Sequence, residues 1–292
     1  MTTKRLVDGH HHLWNLSDLY YPWLTDQPRS LPYGDYASIR KNYLVEDFRR
    51  DIGSLNVVKS VHVQAEHDSR RPVEETRWLQ SVADHPGSGG FPHAIVAYVD
   101  LSRPDAPGVT EQHRQFANLR GVRQMLHFGE AQNYLESAVW RSHLAHVGRC
   151  GLSFDLMIQA ARLNDAFAVI AANPDMMFIL NHAGCPPNQS DALSLWRTDI
   201  RRLAELPNLA VKLSGFGMFD RHWTAQSIKP IVGSIIEAFG VDRCIFGTNF
   251  PVDSMMKDYQ SIWADFESCV SDCSAAEQEL LFAANAERIY RI

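Results

Sequence analysis

Short apolar runs recur eight times along this chain, and segments of helical character separate most of them. The runs lie near Leu6–His12, Val57–Glu66, Ala94–Leu101, Leu119–Leu126, Leu152–Ile158, Met176–His182, Leu209–Ser214 and Arg243–Gly247. Each has the length of a strand and the apolar character of one buried on both faces. Helix formers or apolar residues at helical spacing occupy Val73–Ala83, Ala138–Gly148, Leu163–Ala172, Asp191–Ala204, Ala225–Phe239 and Ser274–Ile289. Strands alternating with helices build parallel βαβ units. Eight such units in 292 residues fit one closed (β/α)8 barrel of the TIM type, a single α/β domain over 1–292.

Local punctuation agrees. Asn173-Pro174 and Leu206-Pro207-Asn208 each end a helical run just before a strand. Ser274 with Glu277 three residues on predicts a capping box. The segment Asn15–Tyr43, after the first strand, is irregular and rich in Tyr, Pro and Trp. It is long for a βα loop, so it reads as a lid or side wall of a site, or as an Ω-type loop that only covers the barrel.

The hydrophobic fraction of 45% is ample for a core, and a formal net charge of −6 argues against nucleic-acid or anionic-membrane partners. The pairs Arg49-Arg50, Arg70-Arg71 and Arg201-Arg202 read as solvated helix faces. Five scattered cysteines do not make a disulfide framework, and Cys269 and Cys273 lack the second pair a zinc site would need. Reduced thiols, with no visible signal peptide and no bilayer-length apolar run, predict a cytoplasmic protein. A homo-oligomer is compatible with all of this.

The first strand carries Val7-Asp8-Gly9-His10-His11-His12-Leu13-Trp14. His10 and His12 are two apart and share a strand face, so both can reach one divalent ion, with zinc the best match to imidazole. His11 points the other way and reads as packed; Asp8 reads as a hydrogen-bonding support. Chemistry in such barrels gathers at the C-terminal ends of the strands. The other predicted ends carry His62, Gln64 and Glu66; Arg123, Gln124 and His127; Asp155; Asn181 and His182; Lys212 and Ser214; and Thr248, Asn249 and Asp253. Buried charges are normally paired or metal-bound, so this concentration marks a site.

These residues resemble the amidohydrolase superfamily in its amidohydrolase-2 branch. The resemblance rests on Asp8–Trp14, Tyr21-Pro22-Trp23-Leu24, Gly121-Val122-Arg123, Asn181-His182-Ala183-Gly184, Val211–Gly215 and Phe246–Pro251, in order along the chain. Within the branch the chain is similar to sugar-acid lactonases and 2-pyrone-4,6-dicarboxylate lactonase. The resemblance implies hydrolytic opening of a carboxylated or polyhydroxylated lactone. It implies a divalent metal on His10, His12 and His182, and Arg123 as binder of a substrate carboxylate. Glu66 and Tyr21 are further candidates for substrate contact. The family places an Asp after its last strand as ligand and base, whereas this chain has Asn249, which accepts no proton at neutral pH. Asp253, Asp155 and His182, in that order, are then candidates for the base. A decarboxylase or other hydrolase on the same barrel, and a non-catalytic binder of a small acid, are the alternatives.

Overall fold

The computed structural model describes residues 4–28, 34–126 and 129–292. Its strands are β1 (Leu6–His11), β2 (Val57–Val63), β3 (Ala94–Tyr98), β4 (Leu119–Met125), β5 (Ser153–Met157), β6 (Phe178–Leu180), β7 (Leu209–Leu213) and β8 (Cys244–Phe246). They lie in sequence order in one sheet, and every neighbouring pair is parallel. Between β1 and β2 lie α1 (Pro22–Thr25) and α2 (Val45–Ile52). The crossovers that follow carry α3 (Pro72–Asp84), α4 (Ala106–His113), α5 (Ala138–Arg149), α6 (Leu163–Ala171), α7 (Ser190–Ala204) and α8 (Ala225–Phe239). After β8 come α9 (Tyr259–Cys269), α10 (Ala275–Glu279) and α11 (Asn285–Tyr290). This is the (β/α)8 barrel expected from the apolar runs.

Four helices escape the sequence pattern: the single turn α1, α2, α4 and α9. The start of α4, Ala106-Pro107-Gly108, is tolerated only because proline suits the first helical turn. The final run is not one helix. A π-helical turn at Leu280–Ala284 separates α10 from α11. The capping box at Ser274 and Glu277 is present as predicted. Among the described residues no helix is long and apolar enough to cross a membrane.

Several strands stop short of their predicted ends. Glu66, His182 and Asn249 have φ of 56°, 52° and 57°, a left-handed backbone that cannot extend a strand. The three residues therefore stand just beyond β2, β6 and β8, facing out of the barrel mouth. His127 lies outside the described residues.

The barrel interior is divided. Towards its base it is filled by Val7, Val61, Ala94, Ile179, Ala210 and Ile245 with Ile289 and Tyr290 of α11, which plugs that end. Towards the mouth it turns polar. The loop after β1 is pinned at its base by reciprocal Trp14–Tyr43 backbone hydrogen bonds of 3.0 Å. It is pinned over the mouth by Trp23 Nε1 donating to the Ala65 carbonyl at 2.8 Å.

β1 and β8 meet at a tight seam. Asn249 N donates to His10 O and His12 N to Phe250 O, both at 2.7 Å. The buried Asp8 carboxylate accepts from Thr248 N (2.9 Å), Thr248 Oγ1 (2.6 Å), His10 N (3.1 Å) and Tyr259 Oη (3.0 Å). Burial raises the Asp8 pKa to about 6 even against those four donors, which marks it as the support it was expected to be. A Cβ on Gly9 would lie 2.3 Å from Ile245 Cγ2 and 2.7 Å from Phe246 O; one on Gly247 would lie 2.5 Å from His10 N. Only glycine permits this approach. Gly9→Ala is expected to lower the unfolding free energy by about 1–3 kcal/mol, as overpacking does, in a urea melt. An unchanged midpoint would show that the seam has room to spare.

Candidate active site

His10 is fully buried at the top of β1. Lys212 of β7 places Nζ 3.5 Å from His10 Nδ1 and 2.7 Å from Asp155 Oδ2. Burial lowers the Lys212 pKa to about 8, with Asp155 opposing the fall, so the ammonium persists at neutral pH. An ammonium can only donate, so His10 Nδ1 accepts and the ring proton sits on Nε2. That buried Nε2 has no hydrogen-bond partner. Burial, then Lys212, holds the His10 pKa well below its usual value, and the ring is neutral.

His12 has the opposite tautomer. Its Nδ1 lies 2.6 Å from the Val63 carbonyl and so carries the proton. Its Nε2 faces Asn249 Oδ1 at 3.2 Å. Asn249 is held in that orientation because its Nδ2 donates to Asp253 Oδ1 at 2.9 Å. Burial, then Arg123, keeps His12 neutral. Its Nε2 lone pair therefore meets an amide oxygen, and a hydrogen bond closes only when Nε2 gains a proton. Asp253 is itself buried, which raises its pKa to about 7.

His182 sits with Nδ1 3.0 Å from Ser214 Oγ. Its ring centroid is 4.6 Å from that of His10, which is 5.1 Å from that of His12. The three imidazoles predicted to converge do so. Their donor atoms are nevertheless spread. Among the described residues the one group of three His, Cys, Asp or Glu side chains whose ligand atoms all lie within 4.8 Å of one another is Glu111, His146 and Cys150, on the outer wall.

Arg123 of β4 is 2% exposed, a large cation to bury. Its Nη2 donates to Gln64 O at 2.6 Å and Nη1 to Asn181 Oδ1 at 3.4 Å, while Nε has no partner. Both acceptors are neutral oxygens.

A cavity of about 870 Å³ opens above these groups, with His12, Glu66, Arg123, His182 and Asn249 on its surface. Four sequence candidates stand back from it, the first being His10, which is fully buried behind the His12 and His182 rings. Asp155 is buried inside the barrel, bound by Lys212, Asn181 Nδ2 (2.9 Å) and Tyr290 Oη (2.9 and 3.0 Å). Asp253 lies behind Asn249. Tyr21 is buried behind the wall, edge-on to His67 at 5.3 Å, whereas its neighbours Tyr20, Pro22 and Trp23 line the cavity. The loop after β1 is thus a side wall. His11 stacks on Phe48 at 4.2 Å outside the barrel, packed as expected.

Several lining residues were not picked out from the sequence: His67, Asp68 and Arg70 after β2, Tyr98 at the end of β3, and Gln159 after β5. Arg70 is not on a helix face. It stands in the loop before α3, forked onto Asp68 at 2.8 and 2.9 Å. The available signal was an unbroken polar run, Glu66–Arg71, directly after a barrel strand. In the sequence Lys212 reads only as a polar residue of a strand, with nothing to indicate its role.

Comparison with known proteins agrees with this architecture. The amidohydrolase family model matches residues 7–292. An uncharacterized protein, y4mH, of Sinorhizobium fredii is 40% identical over all of both chains. An L-fucono-1,5-lactonase of Burkholderia ambifaria is 27% identical, over 98% of this chain and 95% of its own. A crystal structure of an amidohydrolase from Burkholderia multivorans with bound zinc superposes with a TM-score of 0.83 at 25% identity, over 98% of this chain and 99% of that one. From its first strand to its last helix, the chain belongs to the amidohydrolase family.

Proposed function

We propose that the chain hydrolyses a lactone, adding water across the ring ester bond to give the open hydroxy acid. One observation carries the reading. A buried N–H without an acceptor, His10 Nε2, stands beside a neutral ring nitrogen without a hydrogen, His12 Nε2. Acyl transfer to water needs one donor for the oxyanion and one acceptor for the proton of the attacking water.

In this reading the lactone carbonyl oxygen accepts from the unpaired Nε–H of Arg123, which borders the cavity, and presses between the His12 and His182 rings to reach the His10 Nε2–H behind them. His12 Nε2 takes a proton from water as the oxygen attacks the carbonyl carbon. The new His12 Nε2–H closes onto Asn249 Oδ1, so the amide stabilises the imidazolium without accepting a proton. The ring C–O bond then breaks, and His12 returns the proton to the departing ring oxygen. Asp253 holds Asn249 in register, Asp155 neutralises Lys212, and His182 walls the cavity floor. The base is thus assigned to His12 rather than to Asp253, Asp155 or His182. Arg123, a buried cation with only neutral acceptors, also suits a substrate carboxylate, and Glu66 suits ring hydroxyls. The lactonase relative supports a polyhydroxylated lactone as substrate.

Zinc is present in a solved relative, and imidazole nitrogens are the right kind of donor. The residues here do not fit it. Lys212 leaves His10 Nε2 protonated and unable to ligate, Asn249 replaces the carboxylate, and the three rings' ligand atoms do not lie within 4.8 Å of one another. We therefore assign no step to a metal.

Three outcomes test this. His12→Ala is expected to lower turnover of a sugar-acid lactone by about 10²–10⁴-fold with circular dichroism unchanged; retained turnover would move the base elsewhere. The Asp253 carboxylate exists above its pKa of about 7 and is lost below it, so kcat/KM rises with pH through that value. Asp253→Asn should give slow, pH-flat turnover, and an unaltered rise would show that the Asp253 charge does not act through Asn249. Finally, wild-type turnover should survive a chelator, while Asn249→Asp tightens divalent-ion binding; chelator-sensitive turnover restored by zinc would overturn the His10 assignment.

A further inference from the structure

We infer that Glu111, His146 and Cys150 form a second, non-catalytic site for a thiophilic divalent cation such as zinc, clamping α4 to α5 at the barrel's base. His146 lies on α5 and Cys150 is its C-terminal cap, four residues on and on the same helix face. Glu111 projects from the neighbouring α4. Cys150 stands just before β5 begins, so the cluster is at the end of the barrel opposite the cavity.

The distances are those of a coordination face. Cys150 Sγ is 3.3 Å from Glu111 Oε1 and 3.5 Å from His146 Nε2, and His146 Nε2 is 3.5 Å from Glu111 Oε1. A tetrahedral zinc with bonds of about 2.3 Å to sulfur and about 2.0–2.1 Å to nitrogen and oxygen sets its ligand atoms about 3.3–3.6 Å apart. A thiol hydrogen can serve only one of the two contacts Sγ makes, whereas one cation serves all three atoms. Arg114 Nη1 takes the other carboxylate oxygen, Glu111 Oε2, at 2.6 Å, which steers Oε1 to the shared point as an outer partner of a ligand does. Glu111 is exposed and His146 and Cys150 are half-buried, so an ion has an entry path and a fourth position open to water. On binding, the Cys150 thiol gives its proton to solvent and coordinates as thiolate.

The test uses full-length protein, stripped by dialysis against a chelator and titrated with cobalt(II). Cobalt bound to a thiolate gives a near-ultraviolet sulfur-to-metal charge-transfer band that histidine-only sites lack. The band is expected in the wild type and in Cys185→Ser, a change at a cysteine that borders the catalytic cavity. It is expected to vanish in Cys150→Ser and weaken in His146→Ala, and zinc should bleach it in the wild type. Zinc should also raise the melting temperature of the wild type but not of Cys150→Ser, while lactone turnover is the same in both. Absence of the band from the wild type, or its survival in Cys150→Ser, would overturn the site.

Discussion

Closure of the barrel between β1 and β8 is the constraint on which the catalytic end depends. The two strands come so near at Gly9 and Gly247 that no side chain fits between them, and the Asp8 carboxylate locks the join with four accepted hydrogen bonds. This contact sets His12 against Asn249, residues 237 positions apart in sequence. The same closure brings Lys212 of β7 under His10 of β1. The seam places the two rings, Lys212 then sets the tautomer of His10 and the Val63 carbonyl of β2 that of His12, and the tautomers define which nitrogen can donate and which can accept.

The polar half of the interior follows a charge logic. Lys212 and Asp155 neutralise each other at 2.7 Å, and Asn181 and Tyr290 occupy the remaining acceptor capacity of the carboxylate. Arg123 has neutral partners only and borders the cavity. Glu66, Asp155 and Glu75 act on it only through space, so a ligand carboxylate would supply the direct partner it lacks, which is why the substrate class and the burial of Arg123 are a single argument. Asn249 belongs to the same logic. As an amide it keeps a second negative charge away from Asp253 while still offering an oxygen to His12.

Much of the fold was legible because parallel strands buried on both faces must be continuously apolar. The ends of those strands were harder to read. Glu66, His182 and Asn249 leave the ladder through left-handed backbone conformations, which nothing in a run such as Leu180-Asn181-His182 announces. Helix α4 was hidden by Pro107 and Gly108. At the site, the convergence of His10, His12, His182, Arg123 and Asn249 was readable from their positions at successive strand ends. The roles of Asp155 and Asp253 were not, because a carboxylate inside a barrel and one at its mouth look alike in sequence. Nor was the metal question, since the proton on His10 is set by a lysine some 200 residues away.

The charge chain has a consequence for how the molecule is made. Its members come from β1 (His10), β4 (Arg123), β5 (Asp155), β7 (Lys212) and α11 (Tyr290), so no contiguous half-barrel holds them all. A partial barrel that lacks β5 or β7 would bury Lys212 or Asp155 without its counterpart, and one made of β5–β8 alone would lack His10 and Arg123 beside them. Partial barrels are thereby penalised, and the polar centre that performs the chemistry also makes assembly closer to all-or-none.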